Sequence, residues 1–179
     1  MSWTIDDLEY TTRKKLTIDQ TKIDATLTDF PVVVFLTDAR FDWTKSNADG
    51  FDVRFTDSGG TTLLKYDRER HDGANFAEYH VKVPSVSGTV DTDFYIFYRT
   101  TDTANGADAT NVWDTNFQAV YHLGESSGTA TDSTANAKDG TFFGNLPAQI
   151  AGKIANAQNP NGSTGYITLP SMGTFGTQG

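Results

Sequence analysis

The sequence predicts an all-β chain, and its first part predicts an antiparallel β-sandwich. Three observations carry this. Several short segments alternate apolar and polar residues with a period of two, the pattern of strands with one buried face. Turn-forming residues recur between them at intervals of about 8–15 residues, the rhythm of a sandwich. Helical periodicity is weak throughout.

The elements follow in order. In KKLTIDQ, Leu16 and Ile18 alternate with polar neighbours, so the segment reads as a half-buried strand. FPVVVFLT is a short, continuous, Val-rich run and is expected to be a strand buried on both faces. DARFDWTKSNADG suits either one turn of helix, with Asp38 as N-cap and Gly50 near its end, or a compact loop. The i, i+2 spacing of Phe41 and Trp43 fits a helix poorly. FDVRFTD sets Phe51, Val53 and Phe55 against Asp52 and Arg54, and SGG supplies a turn. TLLKYDRER places Leu64 and Tyr66 on one face. FAEYHVKVP alternates Ala77, Tyr79, Val81 and Val83 against Glu78, His80 and Lys82, and Pro84 is expected to end it. TDFYIFYRT is aromatic and β-branched, as a central strand would be.

The composition changes after Arg99. TTDTANGADATN holds no apolar residue larger than Ala and reads as a linker or long loop. VWDTNFQAVYHLGE starts a new apolar pattern, a Gly/Ser/Thr/Asn-rich stretch follows, and GYITLP is a further strand before the Gly-rich SMGTFGTQG. Two domains are therefore expected: a β-sandwich over 1–105 and the start of a second domain over 106–179. The second is short and poor in large apolar residues, in the size range where a lone core is marginal. It is expected to be truncated or completed elsewhere.

The bulk composition narrows the function classes. Hydrophobic residues make up 37% and aromatic residues 12%, enough to bury a core. A net charge of −9, from 23 acidic and 14 basic residues, argues against a nucleic-acid partner, which needs clustered Lys and Arg. Arg13-Lys14-Lys15 is the only dense basic cluster and reads as a solvated strand face. The absence of cysteine removes disulfides, thiolate nucleophiles and thiolate zinc sites. MSWTIDDLEY has neither the basic nor the apolar region of a secretory signal, and nothing approaches the ~20 apolar residues of a membrane helix. No membrane insertion is expected.

Three stretches resemble a known family: RKKLTIDQTKIDATLTDFPVVVFLT, DGFDVRFTDSGGTTLLKYDRER and YHVKVPSVSGTVDTDFYIFYRT. They are similar to a β-sandwich family of unknown function found in bacterial and archaeal surface proteins and in phage virion proteins. Members of that family typically lead into a concanavalin-A-like, laminin-G-like jelly roll. ATNVWDTNFQAVYHLGESSGTATDSTANAKDGTFFG and AGKIANAQNPNGSTGYITLP resemble its first strands. The resemblance implies a sandwich followed by an incomplete jelly-roll segment.

Each candidate site has a plainer counterpart. Asp132, Asn136 and Asp139 lie among small residues with Gly140 following, and their oxygens suit Ca²⁺, the only cofactor the sequence suggests. The same residue types cap turns through local bonds, and the twelve-residue calcium spacing ending in Glu is absent. Trp43, Trp113 and Tyr121 could stack on sugar, but an aromatic in an alternating strand is usually core, and no carbohydrate-binding residue is assigned. Trp3, Ile5 and Leu8 form an apolar terminal arm that a neighbouring subunit could cover, an assembly anchor.

Catalysis is not expected. The glutamates Glu9, Glu69, Glu78 and Glu125 are far apart and form no Glu-x-Asp-x-Glu set of the kind paired-carboxylate glucanases carry. In DRERHD, Asp67, Glu69, His71 and Asp72 alternate with Arg68 and Arg70, which suggests a salt-bridged, solvated strand. His71, His80 and His122 form no H-E-x-x-H, and there is no G-x-S-x-G. The expectation is a non-catalytic structural or adhesion module of a phage virion, such as a tail, fibre or capsid-decorating protein, oligomeric in assembly. Its partners would be other virion or surface-protein subunits, with host or environmental glycan a further possibility. The alternative is a carbohydrate-binding lectin-type module at a prokaryotic cell surface; a glycoside hydrolase ranks last.

Overall fold

The structure, a computed structural model, describes residues 2–99, 101, 104–144, 149–152, 156–160 and 164–173. The chain divides into two compact units, 1–112 and 113–179. Among the described residues there is no α-helix, only strands and three single turns of 3-10 helix.

The first unit opens with a hairpin, β1 (Trp3–Ile5) and β2 (Leu8–Tyr10). Its two-residue loop is Asp6-Asp7, both left-handed (φ 53° and 61°), as a hairpin turn matching the right-handed strand twist requires. The remaining strands are β3 (Thr12–Ile18), β4 (Leu27–Thr37), β5 (Arg54–Thr56), β6 (Leu63–Leu64), β7 (Tyr66–His71), β8 (Phe76–Val86) and β9 (Thr92–Tyr98). They build two antiparallel sheets, in the orders β3-β9-β5-β6 and β4-β8-β7. The chain changes sheet at Lys65, between β6 and β7. The core between the sheets takes Phe55, Leu64, Phe94, Ile96 and Tyr98 from the first, and Val34, Leu36, Tyr66, Tyr79, Val81 and Val83 from the second. This is a β-sandwich.

β9 is a central strand and is covered on both sides. Phe94, Ile96 and Tyr98 face the main core, whereas Phe97 turns the other way into a second cluster with Ile5 and Tyr10. Trp3 and Tyr10 meet the Phe97 ring edge-on at 6.1 and 6.0 Å. The Arg13 guanidinium lies 4.6 Å from the Trp3 ring and 4.5 Å from that of Tyr95. The terminal arm is thus covered by the chain's own sheet. Of the three apolar residues of the arm, Ile5 is buried in this cluster and Trp3 and Leu8 are half-buried against it.

Several local expectations change. FPVVVFLT is not buried on both faces: Val34 and Leu36 are buried, but Val33 and Phe35 are 53% and 45% exposed. The second sheet has a core on one side only, and β4 is its edge. Conversely, Asp52, Arg54 and Thr56 are buried. The Arg54 guanidinium donates to the carbonyls of Phe51, Val53 and Ala104, so the segment after β9 folds back over β5. The strand through Pro84 runs on to Val86. Ladder pairing skips the Asp29–Pro84 position and resumes at Thr28–Ser85, with Asp29 left-handed (φ 49°) opposite the residue that lacks an N–H. DARFDWTKSNADG is a compact loop with one 3-10 turn at Trp43–Lys45, capped by Asp42. Residues 106–112 pack with the first unit, through Asp108 N–H to the Tyr66 carbonyl, the Lys65–Asp108 ion pair at 2.7 Å and buried Val112.

The second unit has a three-stranded antiparallel sheet in the order β10-β11-β14, with β10 (Thr129–Ala130), β11 (Gly140–Phe143) and β14 (Tyr166–Thr168). A two-stranded pair, β12 (Ile150–Ala151) and β13 (Asn156–Ala157), accompanies it. Among its described residues the only buried apolar side chain is Ala130. The Gly-rich end from 174 onward lies outside the described residues.

Candidate functional site

In the first unit, β3 and β4 are edge strands of opposite sheets and border an open groove of about 400 Å³. Its floor is apolar, with Leu16, Ile18, Val32, Val34, Leu36 and Phe94. Lys14 and Arg40 stand on its rim, and the Lys14 ammonium donates to the Arg40 carbonyl. On the outer face beside the groove, Phe35 stacks on Phe76 at 5.9 Å, and Phe76 is 38% exposed. Val33 adds a β-branched side chain to this exposed apolar face, and the Arg70 guanidinium lies 5.0 Å over the Phe76 ring.

Two titratable clusters of this unit are held by local bonds and packing. The Asp72 carboxylate accepts the N–H groups of Ala74, Asn75 and Phe76 and pairs with Arg70 at 3.1 Å. Burial raises its pKa, but these bonds outweigh it and hold the carboxyl far below its ordinary 3.8. His71 sits against Phe41 and Trp43, with Nδ1 2.6 Å from the Tyr79 hydroxyl. Burial keeps its pKa below 6.5 despite the charge of Asp52. Trp43 donates its Nε1–H to Asp38 and packs on Phe41 at 4.7 Å, so it is part of this cluster. The DRERHD strand is less solvated than its alternation suggests: Asp67 is buried, and Glu69 faces His80 at 3.7 Å.

In the second unit the structure brings the sequence-derived trio into one loop. Asp132 Oδ1 accepts the N–H groups of Val120 and Thr134 at 3.0 and 2.9 Å. Its Oδ2 accepts the Thr134 hydroxyl and the Lys138 N–H, both at 2.9 Å. Asp139 accepts the Asp132 N–H, and the Asn136 amide donates to the carbonyls of Phe117 and Gln118. Each oxygen of Asp132 therefore accepts two donors, the local bonding by which such residues build turns. Burial raises the Asp132 pKa, but its backbone bonds prevail and hold it below 3.8. Tyr121 donates its hydroxyl to the Lys138 carbonyl, and Trp113 packs on Phe117 at 5.0 Å.

The model of a domain of unknown function, DUF2341, matches residues 49–140, more than half of the chain. The chain belongs to this family. No curated protein and no solved structure matches it. The DUF2341 match begins in the loop before β5 and ends at Gly140, taking in the whole Asp132 loop. Family membership names no chemistry, so the sites themselves must supply it.

Sequence reasoning missed the β4 edge. The signal was present in the apolar run itself, but a run without alternation does not say which face is covered. It also missed the aromatic pair Phe143 and Tyr166, cross-strand partners stacked at 5.4 Å and 15° and largely exposed.

Proposed function

We propose that this DUF2341 chain is a non-catalytic structural or adhesion module of an extracellular assembly, with a component of a phage virion as the specific reading. The observation that carries it is the apolar strip on and beside β4, formed by Val33, Phe35 and Phe76. A surface of that kind gains about 25 cal/mol per Å² when another chain covers it. The titratable groups support the non-catalytic part, since Asp72 and Asp132 are held by local donors and His71 is packed among aromatic rings. The acidic, cysteine-free composition suits a particle outside a reducing cytoplasm, where packing and assembly replace disulfides. The second unit resembles the opening of a jelly roll in sequence, which fits a displayed domain.

The test is an antibody to this chain, applied to density-purified particles from the producing culture. Stoichiometric presence in the particles supports the reading; presence only in the soluble lysate sinks it. A second reading, a lectin-type module, is favoured by the exposed Phe143–Tyr166 stack, since sugar C–H faces pack on such rings. A glycan array on the full-length protein tests it, with Tyr166→Ala as the variant that should abolish any signal.

A further inference from the structure

We propose that a second copy of this chain pairs antiparallel with the free edge of β4, in a register centred on Val34, joining two β4-β8-β7 sheets into one. This names a partner for the assembly role above and rests on that reading.

The direction of the backbone groups follows from one bond. Lys82 donates its N–H to Lys65, on the β7 side, and Lys82 is the ladder partner of Pro31. In an antiparallel ladder a residue turns its N–H and C=O to the same side, and successive residues alternate. Pro31 therefore faces the free edge, and so do Val33, Phe35 and Thr37. Val33 and Phe35 have no other partner for these groups among the described residues, and their side chains are exposed on the outer face. Natural edges are commonly blunted by Lys, Pro or a bulge. Here Asp29 and Pro31 blunt the first half of β4, and the stretch Val32–Leu36 carries no such device.

The register is selected by two defects that match. Pro31 has no N–H to give. Thr37 has a carbonyl already taken by the N–H groups of Arg40 and Phe41, at 2.7 and 2.9 Å. Centring the pair on Val34 sets Pro31 of each copy opposite Thr37 of the other, so the absent donor meets the occupied acceptor. Val33 of each copy then faces Phe35 of the other and exchanges both bonds. A shift by two residues either way breaks this match. Setting Val33 against itself leaves a Phe35 carbonyl facing proline; setting Phe35 against itself leaves a Val33 N–H facing the spent Thr37 carbonyl.

The charges agree. Arg40 lies in the turn that follows β4, and Asp29 lies near its start; neither has an ion-pair partner among the described residues. Antiparallel pairing brings the Arg40 end of one copy to the Asp29 end of the other. The outward side chains of Val33 and Phe35 merge with their equivalents into a single cross-strand apolar cluster.

The experiment uses the full chain. Sedimentation velocity over a micromolar to high-micromolar series should show a monomer–dimer equilibrium. Val33→Lys, at an exposed position, should weaken it by at least about tenfold with an unchanged melting curve. Because the chain has no cysteine, Val34→Cys reports the register directly: a non-hydrogen-bonded pair has Cα atoms about 4.5 Å apart, within disulfide reach. It should cross-link between copies on mild oxidation, and Thr28→Cys should not. Asp29→Arg should weaken the dimer, and adding Arg40→Asp should restore it. A protein that stays monomeric, a dimer insensitive to Val33→Lys, or a dimer that Val34→Cys does not cross-link overturns the proposal. A monomer found in purified particles would sink this pairing alone; a β4-paired dimer absent from particles would sink only the virion reading.

Discussion

Replacing Asp132 by alanine should unfold the loop that opens the second unit. The side chain holds four donors: the N–H groups of Val120, Thr134 and Lys138 and the Thr134 hydroxyl. Hydrogen bonds to a charged group contribute about 1.5–3 kcal/mol each. Val120 and Lys138 are partly accessible, and water can replace much of what they lose. Thr134 is buried, so its two donors are left without a partner. Counting those two alone gives a loss of about 3–6 kcal/mol. That is comparable to the whole stability of a small domain, about 5 kcal/mol at the low end. No large apolar side chain among the described residues of the unit is buried to compensate. Amide hydrogen exchange is the assay. Val120, Thr134 and Lys138 should lose protection in Asp132→Ala, while β8 and β9 exchange as before. If those three amides stay protected, or if the loss is below about 1 kcal/mol, the hub argument is wrong. The pH dependence has a defined sign. The Asp132 carboxyl is held below 3.8 in the folded state, so its contribution is present above 3.8 and is lost as pH falls through the depressed value. The alanine variant should lack that part of the acid transition.

Further outcomes are expected. Millimolar Ca²⁺ added after chelation should leave the melting temperature unchanged, because both Asp132 oxygens already accept two donors; a rise would show that the loop reorganises around a cation. Phe97→Ala should cost about 3–5 kcal/mol in urea unfolding, since Phe97 anchors the terminal hairpin against β9; a cost under 1 kcal/mol would mean the hairpin is not docked. Burial lowers the His71 pKa below 6.5, so folded-state stability should fall as pH drops below 6.5 toward the depressed folded value, and His71→Gln should remove that part of the slope. Gly73→Ala should destabilise by more than 1 kcal/mol: φ is +73°, and a Cβ would meet the Ala48 carbonyl oxygen at 2.8 Å; an unchanged melting curve would contradict the turn geometry.

That the chain is all-β, where most of its strands lie, and which residues of β8 and β9 share a face were all legible in the sequence. Those facts are local, because a period of two is written in neighbouring residues. It also put Asp132, Asn136 and Asp139 in one loop and offered turn chemistry as one account of them. Tertiary structure decided what covers each face. The alternation in FDVRFTD says that Asp52 and Arg54 point one way and Val53 and Phe55 the other; only the returning chain at Ala104 makes the polar side buried too. The Val-rich run of β4 carries no alternation, so its exposed face appeared only in the structure, where β4 is a sheet edge and Val33 and Phe35 point away from the core. The terminal arm shows the reverse: Trp3 and Ile5 look exposed in sequence, and a hairpin across Phe97 buries Ile5 and half-buries Trp3. Local pattern assigns side chains to faces, whereas the order of strands and the path of distant segments decide whether a face meets water, the core or another chain.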